Sequence, residues 1–104
     1  MADYGDADNF LSTFLDKDNA KIGSALNAAF YTDETVHGWL MQARTTPDRA
    51  ERGRLYGLVQ EKALADAPMV PLVTMPELRV RSAKVKGYSI YPAGGEYLAS
   101  VSVE

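Results

Sequence analysis

The sequence contains no cysteine and only one histidine among its 104 residues. Without cysteine the chain forms no disulfide, no thiolate metal site and no thiol nucleophile. His37 alone cannot supply a two-histidine metal motif, and its place beside Val36 and Trp39 on a predicted helix indicates a residue at the border of the core. No apolar run approaches the ~18 residues of a membrane span, and no signal peptide is recognisable. No metal or cofactor is expected.

The composition that remains is that of an ordinary globular domain. Apolar residues make up 46% and charged residues 24% of the chain, and the formal net charge is −3. These values argue against global disorder and give no reason to expect nucleic acid as a partner. Neither a phosphate-binding glycine loop nor a nucleophile-base pair is present, so the chain is predicted not to be an enzyme.

Charge is unevenly distributed along the chain. Asp3, Asp6 and Asp8 lie close together near the start, but their spacing does not match a calcium-binding loop, so they are interpreted as helix-capping and solvated residues. Four bases lie near the other end, at Arg79, Arg81, Lys84 and Lys86. Their alternating positions favour a solvent-facing strand edge over a nucleic-acid surface.

Helical periodicity dominates the first two thirds of the chain. An apolar face at Phe10, Leu11, Phe14 and Leu15 predicts a short helix capped by Asp8 or Asn9. A second stripe predicts an amphipathic helix capped by Thr32 or Asp33, and its members are Val36, Trp39, Leu40 and Ala43.

A third, longer helix is predicted to start with Thr46 as its cap and Pro47 at its first position, and to stop at Pro68. Its buried stripe is predicted to be Leu55, Leu58, Val59 and Ala63, and its solvent face carries charged residues including Arg49, Arg52 and Arg54.

Strand patterns follow the helices. The apolar run 69–75, the alternating residues 78–81 and the tail 97–103 are predicted to be strands, with a turn at 92–95. The fold class is therefore α+β, helices followed by a few strands. So few strands rarely complete a sheet, and unsatisfied edges are expected unless another chain covers them.

Several ordered motifs resemble those of one protein family. The family's Ala-Asp-Tyr segment is matched by Ala2-Asp3-Tyr4, followed by Asp6 and Asn9-Phe10-Leu11. Its Arg-x-x-Leu-Tyr-x-x-x-Gln helix is matched by Arg52, Leu55, Tyr56 and Gln60. One of its strand entries is matched by Ala67-Pro68-x-Val70-Pro71-Leu72. The chain is thus identified as resembling a C-terminal segment of the peptide/nickel-type extracytoplasmic solute-binding proteins of ABC importers.

The resemblance implies a fragment of a two-lobed, type II periplasmic-binding-protein fold. Residues 1–78 would belong to the C-terminal ligand-binding lobe, and residues 79–104 would form a strand tail crossing back to the first lobe. Asp3 would bind the α-ammonium of a peptide, with Tyr4 lining the cleft. An oligopeptide, dipeptide or similar solute, the membrane permease and the missing N-terminal lobe are the implied partners. The location is expected to be periplasmic or extracytoplasmic, with the export signal outside these residues.

Two alternatives stand beside this interpretation. Asp3 is also explained as a turn or capping residue without a ligand. The exposed strands also fit a self-associating interaction module that forms a homodimer and has no transport ligand of its own.

Overall fold

The computed structural model describes residues 5–24, 26–76, 78–91 and 95–104. The chain divides into two units, one formed by residues 6–71 and another that contains residues 72–104. Helices occupy the first unit and a two-stranded sheet the second, so the predicted order of helices followed by strands is confirmed. None of the described helices is long and apolar enough to cross a membrane.

Three helices build the first unit: α1 spans Ala7–Leu15, α2 spans Glu34–Thr45 and α3 spans Arg49–Asp66. A 3₁₀ turn at Lys17–Asn19 follows α1. The helices enclose one apolar core, and its buried members are Leu15, Val36, Leu40, Ala43, Leu55, Tyr56 and Val59. Trp39 and Ala63 pack against this core, as predicted. The prediction is wrong for Leu58, which is half-buried while Tyr56 is buried in its place, and for Phe10 and Phe14, which are exposed.

The helix caps correct two sequence predictions. The α1 cap is Asp6 rather than Asp8 or Asn9, because the Asp6 carboxylate accepts the backbone N–H of Asp8 and starts the helix earlier. The α2 cap is Asp33, one of the two residues predicted.

The cap of α3 is Asp48 rather than Thr46, and Pro47 lies outside the helix. The Thr46 hydroxyl donates instead to the Gln42 carbonyl of α2, at 2.8 Å. The Thr46 side chain is therefore hydrogen-bonded at the C-terminal end of α2 and does not cap α3.

The end of α3 depends on a residue in the left-handed region. Ala67 has φ 49° and ψ 47°, and its N–H donates to the Ala63 carbonyl at 2.9 Å. The backbone turns here directly before Pro68, which disfavours helical geometry in the residue that precedes it.

The second unit contains much less strand than predicted. β1 at Val85–Lys86 pairs antiparallel with β2 at Ser102–Val103, and Val85 is opposite Val103. Segments 69–75 and 78–81 are not strands, and of the predicted strand 97–103 only the last two residues pair. Strand geometry needs a hydrogen-bonded neighbour, and within the described residues only β1 and β2 supply one to each other. The predicted turn at 92–95 falls largely on residues outside the described ones.

Gly87 ends β1 in a conformation suited to glycine. Its φ is +69°, and a Cβ at this position would lie 1.9 Å from the Ser100 carbonyl oxygen. The Ser100 hydroxyl also donates to the Gly87 carbonyl at 2.9 Å. Close approach of two backbone segments therefore fixes glycine here.

Candidate functional site

Both residues singled out as ligand-binding, Asp3 and Tyr4, lie outside the described residues. The described chain begins at Gly5, directly beyond them. The first turn of α1 is therefore the described part of the chain that is nearest in sequence to these two residues.

Asp6 joins the start of α1 to α3. Its Oδ1 accepts the Asp8 N–H at 3.0 Å and the Tyr56 hydroxyl at 3.3 Å, while its Oδ2 accepts from Nη2 of Arg52. The backbone N–H of Asp8, together with Arg52, holds the pKa of Asp6 below its ordinary value. Asp6 is thus an ionised cap that is bound to two helices.

Arg52 lies on α3 and packs on Tyr56. Its guanidinium carbon is 5.7 Å from the Tyr56 ring centroid, within cation–π range, and Nη2 lies 3.3 Å from the Tyr56 hydroxyl. The Tyr56 hydroxyl and the Asp6 carboxylate raise the pKa of Arg52 further above its ordinary value. The prediction that Arg52 faces solvent is wrong, since its side chain is only 31% exposed.

Asp8 forms a second connection, from α1 to α2. Its carboxylate accepts Nε of Arg44 at 3.0 and 3.2 Å, and its Oδ1 accepts the Ser12 hydroxyl at 2.5 Å. Asp8 and Ser12 are both buried, so the interpretation of Asp8 as a capping or solvated residue is wrong. The first turn of α1 is therefore attached to α2 by Asp8 and to α3 by Asp6.

A hydrogen-bonded cluster organises the other end of α1. Asn27 is 1% exposed, and its amide donates to the carbonyls of Asp16 and Tyr31, at 3.0 and 2.8 Å, while its oxygen accepts the Tyr31 N–H. Both N–H donors and the oxygen of this buried amide therefore have a partner inside the unit. Asn27 thus connects residues 27–31 to the end of α1 through Thr13 and Asp16.

His37 joins this cluster through Asp16, with 2.9 Å between its Nδ1 and Oδ1 of Asp16. Asp16, Asp18 and His37 bring three possible metal-ligand atoms within 4.8 Å of one another. Asp16 Oδ1 is already used to cap the 3₁₀ turn through the N–H of Asp18. Capping and the histidine contact explain the grouping without a metal. His37 is half-buried, which confirms that it borders the core.

An apolar pocket of about 320 Å³ lies between α1 and α3. Its walls are Leu11, Leu15, Gln60, Ala63, Leu64, Met69 and Pro71. Gln60 is the sole polar side chain among these walls, so the pocket offers no charged partner for a peptide terminus. Its chemistry suits an apolar group.

Sequence reasoning missed the roles of Arg44 and Arg52. The sequence pattern places Arg52 on the solvent face of its helix and predicts no partner for Arg44. The available signal was the excess of acids near the start of the chain, because Asp6 and Asp8 lie at the start of one helix and need partners when that helix packs.

Comparison with known proteins identifies relatives of this chain. No family model matches the sequence. The di/tripeptide-binding protein 4 of Pseudomonas aeruginosa (strain UCBPP-PA14) is 36% identical over 102 residues, which are 98% of this chain and 19% of that protein. The glutathione-binding protein GsiB of Escherichia coli (strain K12) is 34% identical over 94 residues, 90% of this chain and 18% of that protein. The chain spans about a fifth of the length of these relatives, and the resemblance carried by its motifs is confirmed.

Proposed function

We propose, on the premise that this chain carries a segment of the peptide/nickel-type solute-binding family, that it forms part of a binding protein for a short peptide or peptide-like solute. The observation that carries the proposal is that 98% of this chain matches a segment of a di/tripeptide-binding protein, 19% of that protein's length. The parent protein would deliver its solute to an ABC permease outside the cytoplasm, without chemical turnover.

Asp3 is the proposed partner of the ligand's α-ammonium group. A carboxylate removed from bulk water forms a charge-assisted hydrogen bond with a primary amine. It also discriminates, because a ligand without that amine leaves the carboxylate desolvated and unpaired. Tyr4 is proposed to line the cleft beside it.

The proposed architecture has two lobes. Residues 1–78 would lie in the C-terminal lobe, and residues 79–104 would return to the other lobe, so the cleft would need residues from beyond this chain. Bound ligands are usually mostly enclosed. The isolated chain should therefore bind di- and tripeptides more weakly than micromolar, as measured by isothermal titration calorimetry. Micromolar or tighter binding by these residues alone contradicts the two-lobed proposal.

A chimera tests the function directly. The 102 residues of this chain that align with the Pseudomonas di/tripeptide-binding protein 4 replace their counterparts in that protein, and calorimetry measures affinity for dialanine and for N-acetyl-dialanine. We expect the chimera to bind dialanine, and Asp3→Asn to weaken that binding at least ~10-fold, the usual cost of losing a charged hydrogen bond.

Asp18→Asn is the matched control, because Asp18 is an exposed carboxylate elsewhere in the same segment. It should leave the affinity unchanged. A folded chimera that binds neither peptide overturns the proposed function, whereas equal binding by the wild-type and Asp3→Asn chimeras removes only the assignment of Asp3.

A further inference from the structure

We propose that the aromatic face of α1, formed by Phe10 and Phe14, is a packing surface for an apolar surface elsewhere in a larger solute-binding protein. Leu11 and the neighbouring apolar pocket extend this surface. The inference rests on the proposed function only in taking the chain to be one segment of such a protein, and it is independent of the ligand and of its contacts.

The orientation of α1 places its polar side, and not its aromatic face, against the other helices. Asp8 and Ser12 are buried, whereas Phe10 and Phe14 are 46% and 39% exposed. Each pair is separated by four residues, which is about one helical turn, so each pair lies on one side of the helix. A helix that packs only against a core is expected to turn its aromatic side chains inwards and its carboxylates outwards. The arrangement in α1 is the reverse.

Contacts with α2 hold α1 in this orientation. The Asp8 carboxylate accepts from Arg44 and from the Ser12 hydroxyl. Asp16, directly after α1, lies 2.9 Å from Nδ1 of His37. Arg44 and His37 are both residues of α2. Rotating α1 to bury its phenylalanines would break these contacts and leave a buried carboxylate without a partner, which is costly.

The exposed phenylalanines belong to a continuous apolar surface. The ring centroids of Phe10 and Phe14 are 6.1 Å apart. Leu11 lies three residues before Phe14, so the two are neighbours on the helix surface, and Leu11 is also a wall of the pocket of about 320 Å³. On the far side the pocket reaches Leu64 and Met69, which are both exposed. Single exposed apolar side chains are ordinary, but a contiguous patch indicates an interaction site.

The chemistry of this patch favours an apolar partner. The aromatic face and the pocket walls carry no charged side chain, and Gln60 is the one polar wall. The Gln60 amide already donates to the Tyr56 carbonyl at 3.1 Å. A charged partner would lose water here without gaining an ionic contact from these side chains. An uncharged surface with an apolar side chain that enters the pocket avoids this cost.

The area of the patch favours a contact within one protein over a contact between two copies. Its side chains are only partly exposed, so the patch is on the order of 400 Å². A stable interface between separate proteins buries ~800 Å² on each partner. Segments of one polypeptide avoid most of the entropy cost of association, so a smaller contact suffices. The chain spans about a fifth of the length of its relatives, and the other four fifths or so of such a protein can supply the partner surface.

Hydroxyl-radical footprinting tests the proposal without any substitution. It is applied to the 104-residue chain and to the chimera described above, and mass spectrometry measures the oxidation of each side chain. We expect oxidation of Phe10 and Phe14 to fall at least ~5-fold in the chimera, because the core of a packed interface excludes water. Tyr56, which is 6% exposed, is the internal reference and should be oxidised equally in both proteins.

Equal oxidation of Phe10 and Phe14 in the chain and in the folded chimera overturns the proposed packing surface. The chain alone is also footprinted over about a hundredfold range of concentration, since self-association depends on concentration by mass action. Oxidation that stays constant supports a partner within the larger protein. Protection that increases with concentration identifies a second copy as the partner and overturns the proposal.

A double substitution, Phe10→Gln with Phe14→Gln, measures the energetic consequence. Glutamine is a good helix former, so α1 should remain helical. We expect the Tm of the 104-residue chain to change by less than ~3 °C and that of the chimera to fall by at least ~5 °C. Glu61→Gln, at an exposed position of α3, is the control and should leave both Tm values unchanged. An equal loss in the chain alone would show that its phenylalanines are already packed, against the proposal.

The outcomes separate this inference from the proposed function. A chimera that binds dialanine but leaves Phe10 and Phe14 as exposed as in the chain alone overturns the packing surface and leaves the function intact. A folded chimera that shields both phenylalanines but binds no peptide overturns the proposed function and supports the packing surface.

Discussion

The two units of this chain have similar apolar sequence but very different burial. Residues 6–71 contain every buried side chain of the described chain, including Leu40 and Val59 at 0% exposure. No described residue between 72 and 104 is buried, although Leu72, Val73, Met75 and Val80 are all apolar and more than 79% exposed. A helix satisfies its own backbone, so three helices can close a core together, whereas a strand needs a neighbour before its side chains are covered.

Amide hydrogen exchange should show the largest difference between the two units. Exchange at Leu40 and Val59 requires opening of the helical core, whereas the amides at 72–76 have no ladder to break. We expect protection at the two core positions to exceed that at 72–76 by at least ~1,000-fold, measured by NMR at neutral pH. Comparable protection at 72–76 would show that this segment is paired in solution, as the self-association alternative requires, and sedimentation would then detect the dimer.

A leucine in each unit sharpens the comparison. Leu40→Ala leaves a cavity in the core and should lower the free energy of unfolding by about 2–5 kcal/mol, measured by urea denaturation. Leu72→Ala removes the same atoms from a side chain that is 85% exposed, so its effect should stay within ~0.5 kcal/mol. A large loss of unfolding free energy in Leu72→Ala would contradict the difference in burial between the two units.

Gly87→Ala should affect only the second unit. The new Cβ would clash with the Ser100 carbonyl, and alanine would have to adopt a left-handed φ. Together these two effects should cost at least ~1–2 kcal/mol locally. We expect loss of the NMR contact between Val85 and Val103, with the thermal unfolding of the helices unchanged. Gly95→Ala is the control, because its nearest neighbour is an ordinary 3.6 Å contact with Tyr91; persistence of the strand pair in Gly87→Ala would refute the close approach.

The smallest effect should come from a helix cap in the first unit. The Asp33 carboxylate accepts the Val36 N–H at 2.8 Å and pairs with Lys62 at 3.1 Å. Asp33→Ala should cost about 0.5–2 kcal/mol of unfolding free energy, whereas alanine at the exposed Asp18 should cost less than ~0.5 kcal/mol.

The same cap gives a pH dependence. The Val36 N–H, and then Lys62, lower the pKa of Asp33 below its ordinary value of 3.8. The stabilisation by ionised Asp33 is therefore present above that value and is lost as the pH falls through the lower pKa of the folded chain. The unfolding free energy of Asp33→Asn should decrease less between pH 5 and pH 2 than that of wild type. Identical pH profiles contradict the assignment.

Sequence patterns predicted the helices well because their signals are local. The stripe from Val36 to Ala43 and the cap at Asp33 are both within one helix, and both are confirmed. The strand predictions for segments 69–75 and 78–81 were wrong. An apolar or alternating pattern shows that residues are suited to a strand, but it does not show whether a neighbouring strand is present to pair with them. The assignment of residues 1–78 and 79–104 to different lobes stays a prediction, as do the ligand roles of Asp3 and Tyr4.

The sequence by itself determined the helical core, the absence of thiol chemistry and the relationship to solute-binding proteins, because composition, periodicity and ordered motifs need no partner in space. Tertiary structure alone decided that Asp6 pairs with Arg52 and Asp8 with Arg44, 46 and 36 residues apart. A charge on a helix surface has the same sequence pattern whether it faces water or an opposite charge. Only packing of the three helices selects between the two.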